Sequence, residues 1–287
     1  MNPVTVKAFA KINIGLFLTG KRPDGYHTLE TVFAPVNWYD TLEFTSSGDV
    51  LMSCSDASLP VDDGNLCVRA ARLLQQHTGT RRGVAIHLQK VLPFGAGLGG
   101  GSSDAAVVLR TLNRLWELSL PSAELHALAV RLGADVPYFL EMSTMAYAGG
   151  IGDELEELPL TLPYYIVTVF PDVHISTAWA YRNFYPRFGR PVPDLRRSLN
   201  EICTQGREEL LQEFENDFQP AVFDHYPAVM AVWQQLVDAG AVYASLSGSG
   251  SALFGFFTER STAEQAMAIL PVSCPKSLTA PGFVMEH

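Results

Sequence analysis

Five glycines fall in the seven positions from Gly95 to Gly101, within PFGAGLGGGSSDAA (Pro93 to Ala106). Two serines and an aspartate follow at once. Glycines let successive backbone N–H groups point to one side, and a helix starting at their end adds the positive end of its dipole. Such a loop can cradle phosphate. Two other readings compete. A tight loop without a ligand is the ordinary fate of a glycine cluster. Gly95, Gly97 and Gly100 also match the dinucleotide pattern G-x-G-x-x-G, which needs a further strand with an acidic residue about 20 positions on. The chain here enters a second helical pattern instead. A Walker loop is excluded because no lysine follows the glycines, and in the near miss GLFLTGKR Arg22 stands where Ser or Thr is required. A protein-kinase loop fails too, since VAIH upstream lacks its lysine.

Four further places carry groups suited to chemistry. In GADVPYF, Asp135 follows the helix-ending Gly133 and precedes Pro137. It is either an N-cap or a carboxylate that accepts a hydroxyl proton during group transfer. Lys11 and Asn13 in FAKINIGL lie either on a solvent face or in a site lined by small residues. Tyr26 and His27 in RPDGYH follow a turn. As exposed neighbours they do nothing, but together they can stack on a base and hydrogen-bond its edge. LSGSGSALF, with Gly248 and Ser249, is a turn between strands or a second loop closing over a phosphate or hydroxyl.

These residues need a scaffold, and 287 residues, 47% apolar and 17% charged, suffice for two domains with real cores. No stretch is long and apolar enough for a membrane span, and the N-terminus lacks the basic start of a signal peptide. A cytoplasmic location is therefore expected. Cys54, Cys67, Cys203 and Cys274 are scattered and read as plain thiols. A formal net charge of −10 and the lack of a basic stripe argue against nucleic acid.

The first forty residues alternate like strands, with Ala10, Ile12, Ile14 and Leu16 apolar and Lys11, Asn13 and Gly15 on the other face. GNLCVRAARLLQQHTG reads as a helix closed by Gly79. GVAIHLQKVLPF reads as a strand running into the glycine loop. SSDAAVVLRTLNRLWEL follows as a helix that Ser102 or Ser103 can cap, and SAELHALAVRLG as another. REELLQEFENDF and PAVMAVWQQLVDAG read as helices, while YYIVTVF, VYASLSG and SALFGFF read as strands. Glycines, acids and prolines in AYAGGIGDELEELPLTLPYY place a domain crossover near residues 150–163. Strands and helices mix without regular alternation, so the expected class is α+β in two parts.

In this order, AFAKINIGL, RPDGYH, LPFGAGLGGGSSDAA, GADVPYF, AGGIGDEL and SGSGSALF resemble the GHMP kinase superfamily, from Val6 to about Phe257. The resemblance implies a ribosomal-protein-S5-like N-terminal domain over 1–157, a ferredoxin-like C-terminal domain over 158–287, and an active site in the cleft. ATP would lie on Pro93, Phe94, Gly95, Ala96, Gly97, Leu98, Gly99, Gly100, Gly101, Ser102 and Ser103, with Asn65 and Leu66 on the adenine side. Asp135 matches the catalytic aspartate, and Lys11 matches the lysine that keeps it ionised and offsets charge on the moving phosphoryl group. Mg²⁺ would accompany ATP, with Ser103 as its candidate protein ligand. The DGYH block is similar to that of members acting on a cytidylated methylerythritol. Tyr26, His27 and Tyr181 would hold the cytosine, Asn13 the sugar-alcohol hydroxyls, and Gly248 and Ser249 would also line the substrate. Homoserine- and mevalonate-type kinases, whose substrates have no base to stack, are the rivals, together with a silent nucleotide-binding protein. The partners implied are this small molecule and ATP, with the chain a monomer or weak homodimer. Asp104 departs from the pattern, since asparagine is common there. A carboxylate at that point is expected to face away or meet the metal.

Overall fold

The computed structural model describes residues 3–286. The strands are β1 (Val4–Lys21), β2 (His27–Thr45), β3 (Val50–Cys54), β4 (Val84–Gln89) and β5 (Met145–Gly149). They continue as β6 (Glu154–Leu158), β7 (Tyr165–Val169), β8 (Tyr243–Leu246), β9 (Leu253–Phe257) and β10 (Lys276–Thr279). The helices begin with α1 (Leu66–Thr78), α2 (Gly100–Leu115), α3 (Ser122–Leu132), α4 (Val136–Glu141) and α5 (Thr177–Asn183). Then come α6 (Leu195–Gln205), α7 (Gln219–His225), α8 (Pro227–Asp238) and α9 (Arg260–Ile269). The class is α+β, as the sequence implied. None of the described helices is long and apolar enough to cross a membrane, and all four cysteines are free thiols.

The chain divides into two compact units, neither contiguous in sequence. The first holds residues up to Ala10, Tyr39–Phe94 and Gly99–Met142; the second holds Lys11–Trp38, Gly95–Leu98 and Ser143 onward.

In the first unit β3 runs parallel to β4, Val50 opposite Val84, and β4 pairs antiparallel with the far half of β2, Thr41 opposite Gln89. Helices α1 to α4 pack on one another. Local signals set their ends. The Asn65 side chain accepts from the Cys67 N–H and caps α1, while Gly79 closes it in the left-handed region at φ +72°. α2 begins three or four residues earlier than capping by Ser102 or Ser103 implied. Its N-cap is Gly99, and neither Ser102 nor Ser103 caps it, because both already lie in its first turns. Apolar residues at helical spacing, among them Ala105, Val108, Leu109 and Leu112, bury its inner face.

In the second unit the near half of β2 pairs antiparallel with β5, Thr31 opposite Ala148, and β5 with β6. A separate antiparallel sheet runs β10-β7-β9-β8. Its core joins Val167, Val169, Leu246, Leu253 and Phe257 to Leu236, Ala263 and Ala266 from α8 and α9. REELLQEFENDF is not the helix that its pattern suggests. It makes a short 3₁₀ turn over Glu208–Glu213 and then an isolated parallel bridge from Asn216 to Leu16.

Candidate active site

The alternation along β1 left Lys11 either solvated or in a site, and the structure decides for burial. Lys11 is 4% exposed and Asn13 3%. Both stand on the strand face opposite Ile12 and Ile14, and that face is covered as well. The Lys11 ammonium donates to Asn13 Oδ1 at 2.6 Å and lies 4.8 Å above the centre of the Phe33 ring. Asn13 Nδ2 donates to Thr31 Oγ1 at 3.1 Å, and that hydroxyl donates to the Gly15 carbonyl at 2.5 Å. A buried ammonium is costly, and the hydrogen bond and the ring face compensate it here.

Both glycine loops reach this pair. The Lys11 N–H donates to the Leu98 carbonyl at 3.0 Å. Ser247 Oγ accepts from the Asn13 N–H at 3.3 Å and donates to the Gly97 carbonyl at 2.9 Å. The Ala252 N–H donates to the Ala96 carbonyl at 3.0 Å. Gly97 holds φ +81°, and a methyl there would run into the Ser247 carbonyl oxygen. Gly248 holds φ +56°, with Asn13 Oδ1 3.3 Å from where its Cβ would be. Ser249 and Thr177 share a hydroxyl hydrogen bond of 3.2 Å. Lys11, Asn13, Gly97, Leu98 and Gly248 are thus brought together.

Elsewhere in the second unit, His27 stacks on Tyr181, with centroids 5.2 Å apart and planes at 26°. Phe184 meets it edge-on at 5.3 Å, and Phe188 lies nearly parallel to it at 6.1 Å. Burial and the neighbouring Lys21 charge hold the His27 pKa below the ordinary histidine value. Tyr26 is 62% exposed and extends from the turn that the Arg22 N–H closes on the Tyr26 carbonyl at 2.7 Å. Phe184 and Phe188 escaped notice in the sequence. The aromatic-rich run FYPRFGR was their signal.

The first unit holds the other expected residues. Gly99 ends the loop at φ +70°, and Gly100, Gly101, Ser102 and Ser103 form the opening turns of α2, where the first N–H groups lack intrahelical partners and the Ser103 N–H donates to the Gly99 carbonyl at 2.9 Å. Leu66 lies beside Gly101, its Cδ1 3.7 Å from where a Cβ would be. Asn65 is engaged in capping, its Nδ2 donating to the Pro60 carbonyl at 2.9 Å. Pro93 and the exposed Phe94 lead into the loop. Asp135 occupies the N-cap position of α4 with Pro137 just inside, yet its side chain makes no capping bond.

Asp104 departs from the expectation that it would face away or meet a metal. It points inward to Lys90, whose ammonium donates to Asp104 Oδ2 at 2.9 Å and to Asp40 Oδ2 at 2.6 Å. Asp40 Oδ1 accepts from the Val91 and Leu92 N–H groups at 2.6 and 2.8 Å. The triad therefore ties the strand end before the loop to the helix after it. Burial pushes Asp104 up to about 7, Lys90 pulling against it and the Asp40 charge adding to it. The two carboxylates outweigh burial at Lys90 and raise its pKa.

Residues 65–142 match the model of the GHMP kinases N terminal domain, and residues 195–275 that of the GHMP kinases C terminal. The 4-diphosphocytidyl-2-C-methyl-D-erythritol kinase of Pelodictyon phaeoclathratiforme is 63% identical over 287 residues, covering 100% of both chains. A crystal structure of 4-(cytidine 5'-diphospho)-2C-methyl-D-erythritol kinase is 34% identical with a TM-score of 0.84, covering 97% of this chain and 99% of its own. Homoserine kinase from Cytophaga hutchinsonii shares the fold at 18% identity and a TM-score of 0.73, covering 96% of this chain and 95% of its own. A full-length likeness of 63%, two matched domain models and the same fold give one answer: the chain belongs to the GHMP kinases, in the 4-diphosphocytidyl-2-C-methyl-D-erythritol kinase family.

Proposed function

We propose that this chain transfers the γ-phosphoryl group of ATP to the 2-hydroxyl of 4-diphosphocytidyl-2-C-methyl-D-erythritol, a step in non-mevalonate isoprenoid precursor synthesis. The observation that carries this reading is the aromatic group of His27, Tyr181 and Phe188, with exposed Tyr26 beside it in sequence. A cytosine ring needs such faces, whereas homoserine and mevalonate have no ring to stack.

In this reading the substrate hydroxyl oxygen attacks the γ-phosphorus, the bond to the β-phosphate oxygen breaks, and ADP leaves. Asp135 receives the hydroxyl proton or orients the hydroxyl. Lys11 favours the ionised form of that carboxylate and offsets charge on the transferring group. Backbone N–H groups of the loop from Pro93 to Ser103 hold the phosphates. Asn65 and Leu66 serve the adenine side. Asn13, Gly248 and Ser249 receive the sugar-alcohol portion. The domains run 1–157 and 158–287, and the enzyme works in the cytoplasm as a monomer or weak homodimer.

Among the described residues no group of three or more His, Cys, Asp or Glu could hold a metal. Mg²⁺ would be carried by the nucleotide, since it keeps waters and takes phosphate oxygens with few protein ligands. Ser103 is the protein oxygen proposed for it. When bound, the ion neutralises charge between the β- and γ-phosphates.

Coupled ADP release tests the reading. Turnover with the cytidylated substrate, and not with homoserine or mevalonate, is expected. Turnover with either of those alone overturns the substrate. Silence with all three, while ATP still binds, leaves a nucleotide-binding protein.

A further inference from the structure

The segment from Glu215 to Phe218 lies outside every motif that pointed to chemistry, yet its side chains reach separate parts of the second unit. Its backbone runs beside β1: the Leu16 N–H donates to the Glu215 carbonyl at 2.7 Å, and the Asp217 N–H to the Leu16 carbonyl at 2.9 Å. Asn216 Nδ2 donates to the Leu246 and Gly248 carbonyls at 2.8 and 2.9 Å and so fixes the second glycine loop. Phe218 is buried and meets Tyr181 edge-on at 4.9 Å.

Asp217 stands between them. Its buried carboxylate accepts the Leu18 N–H on Oδ2 at 2.7 Å. Oδ1 accepts from Arg187 Nη2 at 2.7 Å and from Arg190 Nη2 at 2.6 Å. The Arg190 guanidinium also lies 4.8 Å over the Phe17 ring. Residues 184–190 have no helix or strand of their own, so these charge-assisted bonds fix their path. Phe188, the aromatic against His27, sits between the two arginines in sequence.

We propose that Asp217 is a positioning residue for the base-holding end of the site: through Arg187 and Arg190 it sets Phe188 against His27. This rests on the function proposed above, which supplies the base. Asp217→Asn is the selective variant. The amide oxygen still accepts the Leu18 N–H, but the buried one of the two carboxylates that hold both guanidinium groups loses its charge, leaving only the half-exposed Glu215, 2.7 Å from Arg187 Nη2 and 3.2 Å from Arg190 Nη1.

The experiment compares the parent, Asp217→Asn, Phe188→Leu and the double variant in steady-state kinetics. Each single change is expected to raise KM for the cytidylated substrate about tenfold, the scale of one lost aromatic face. KM for ATP should stay within about twofold. The double variant should be no worse than Phe188→Leu alone, because both act at one contact. The His27 ring-proton resonances should shift in the same direction in both single variants. Parental KM in Asp217→Asn, fully additive losses, or an equal rise in KM for ATP overturns the proposal. If Asp217→Asn does not fold, Arg190→Gln carries the same expectations. A parent inactive on the cytidylated substrate overturns the function and this proposal together, whereas an active parent with unmoved variants overturns this proposal alone.

Discussion

Lys11 and Asn13, two residues apart on β1, meet through a 2.6 Å hydrogen bond from the ammonium to Asn13 Oδ1, and both are buried. The pair places a positive charge out of water, compensated by that hydrogen bond and by the Phe33 ring. Lys11→Met keeps the stem and removes the charge. Turnover should fall at least about 10²-fold, as when an electrostatic group is lost at a reacting centre. The melting temperature should fall, because the change takes away one partner of a buried charge-assisted contact and with it the donor to Asn13 Oδ1. Kinetics and calorimetry on the same preparation check both halves. Full turnover removes Lys11 from the reaction.

Asp135→Asn separates chemistry from capping. Asparagine caps as well as aspartate, and no capping bond is made here in any case, so stability should change little. Turnover should drop about 10²-fold or more, with both KM values near parental, as loss of a proton acceptor gives. Near-parental turnover reduces Asp135 to a helix-start residue.

The glycines divide into two kinds. Gly97 is left-handed and pressed against the Ser247 carbonyl, so Gly97→Ala should destabilise the protein by about 1–3 kcal/mol in denaturant titration. Gly101 is helical, with 3.7 Å to its nearest neighbour. Gly101→Ala should leave the melting temperature intact and raise KM for ATP about tenfold if phosphate approaches this backbone. Unchanged ATP kinetics in Gly101→Ala means that phosphate does not come close at this turn.

His27 sets an acid limit. Its folded pKa lies below the ordinary value of 6.5 because burial and Lys21 disfavour the cation. Above 6.5 both folded and unfolded chains are neutral there, and this group adds no pH dependence. Below 6.5 the unfolded chain takes the proton first, so stability falls as pH drops and levels off below the folded pKa. KM for the cytidylated substrate should stay flat through 6.5 and rise only at lower pH. An NMR titration of the His27 ring proton alongside KM tests this, and a midpoint at or above 6.5 overturns it.

Local chemistry made much of this legible. Asn65 and Gly79 bound α1 because capping uses partners a few residues away. The turn before Tyr26 and the strands around the second glycine loop were legible for the same reason. Long-range partners defeated the reading elsewhere. Asn216 and Asp217 continue a helical pattern, but their side chains bond to Leu246, Gly248 and Leu18, far off in sequence. Lys11 sits on what alternation makes a half-exposed strand, and only the covering of its second face shows that it is buried.

The Asp40–Lys90–Asp104 triad constrains how this sequence can drift over generations. Losing Lys90 leaves two interior carboxylates without their cation. Losing Asp40 also orphans the Val91 and Leu92 N–H groups. Either is a steep single step. Asp104→Asn is the one shallow exit. It leaves one carboxylate for one ammonium and removes charge from a side chain whose Oδ1 has no hydrogen-bond partner. An asparagine at 104 is therefore the substitution a lineage can accept first, and once fixed it frees positions 40 and 90 to change only as a pair.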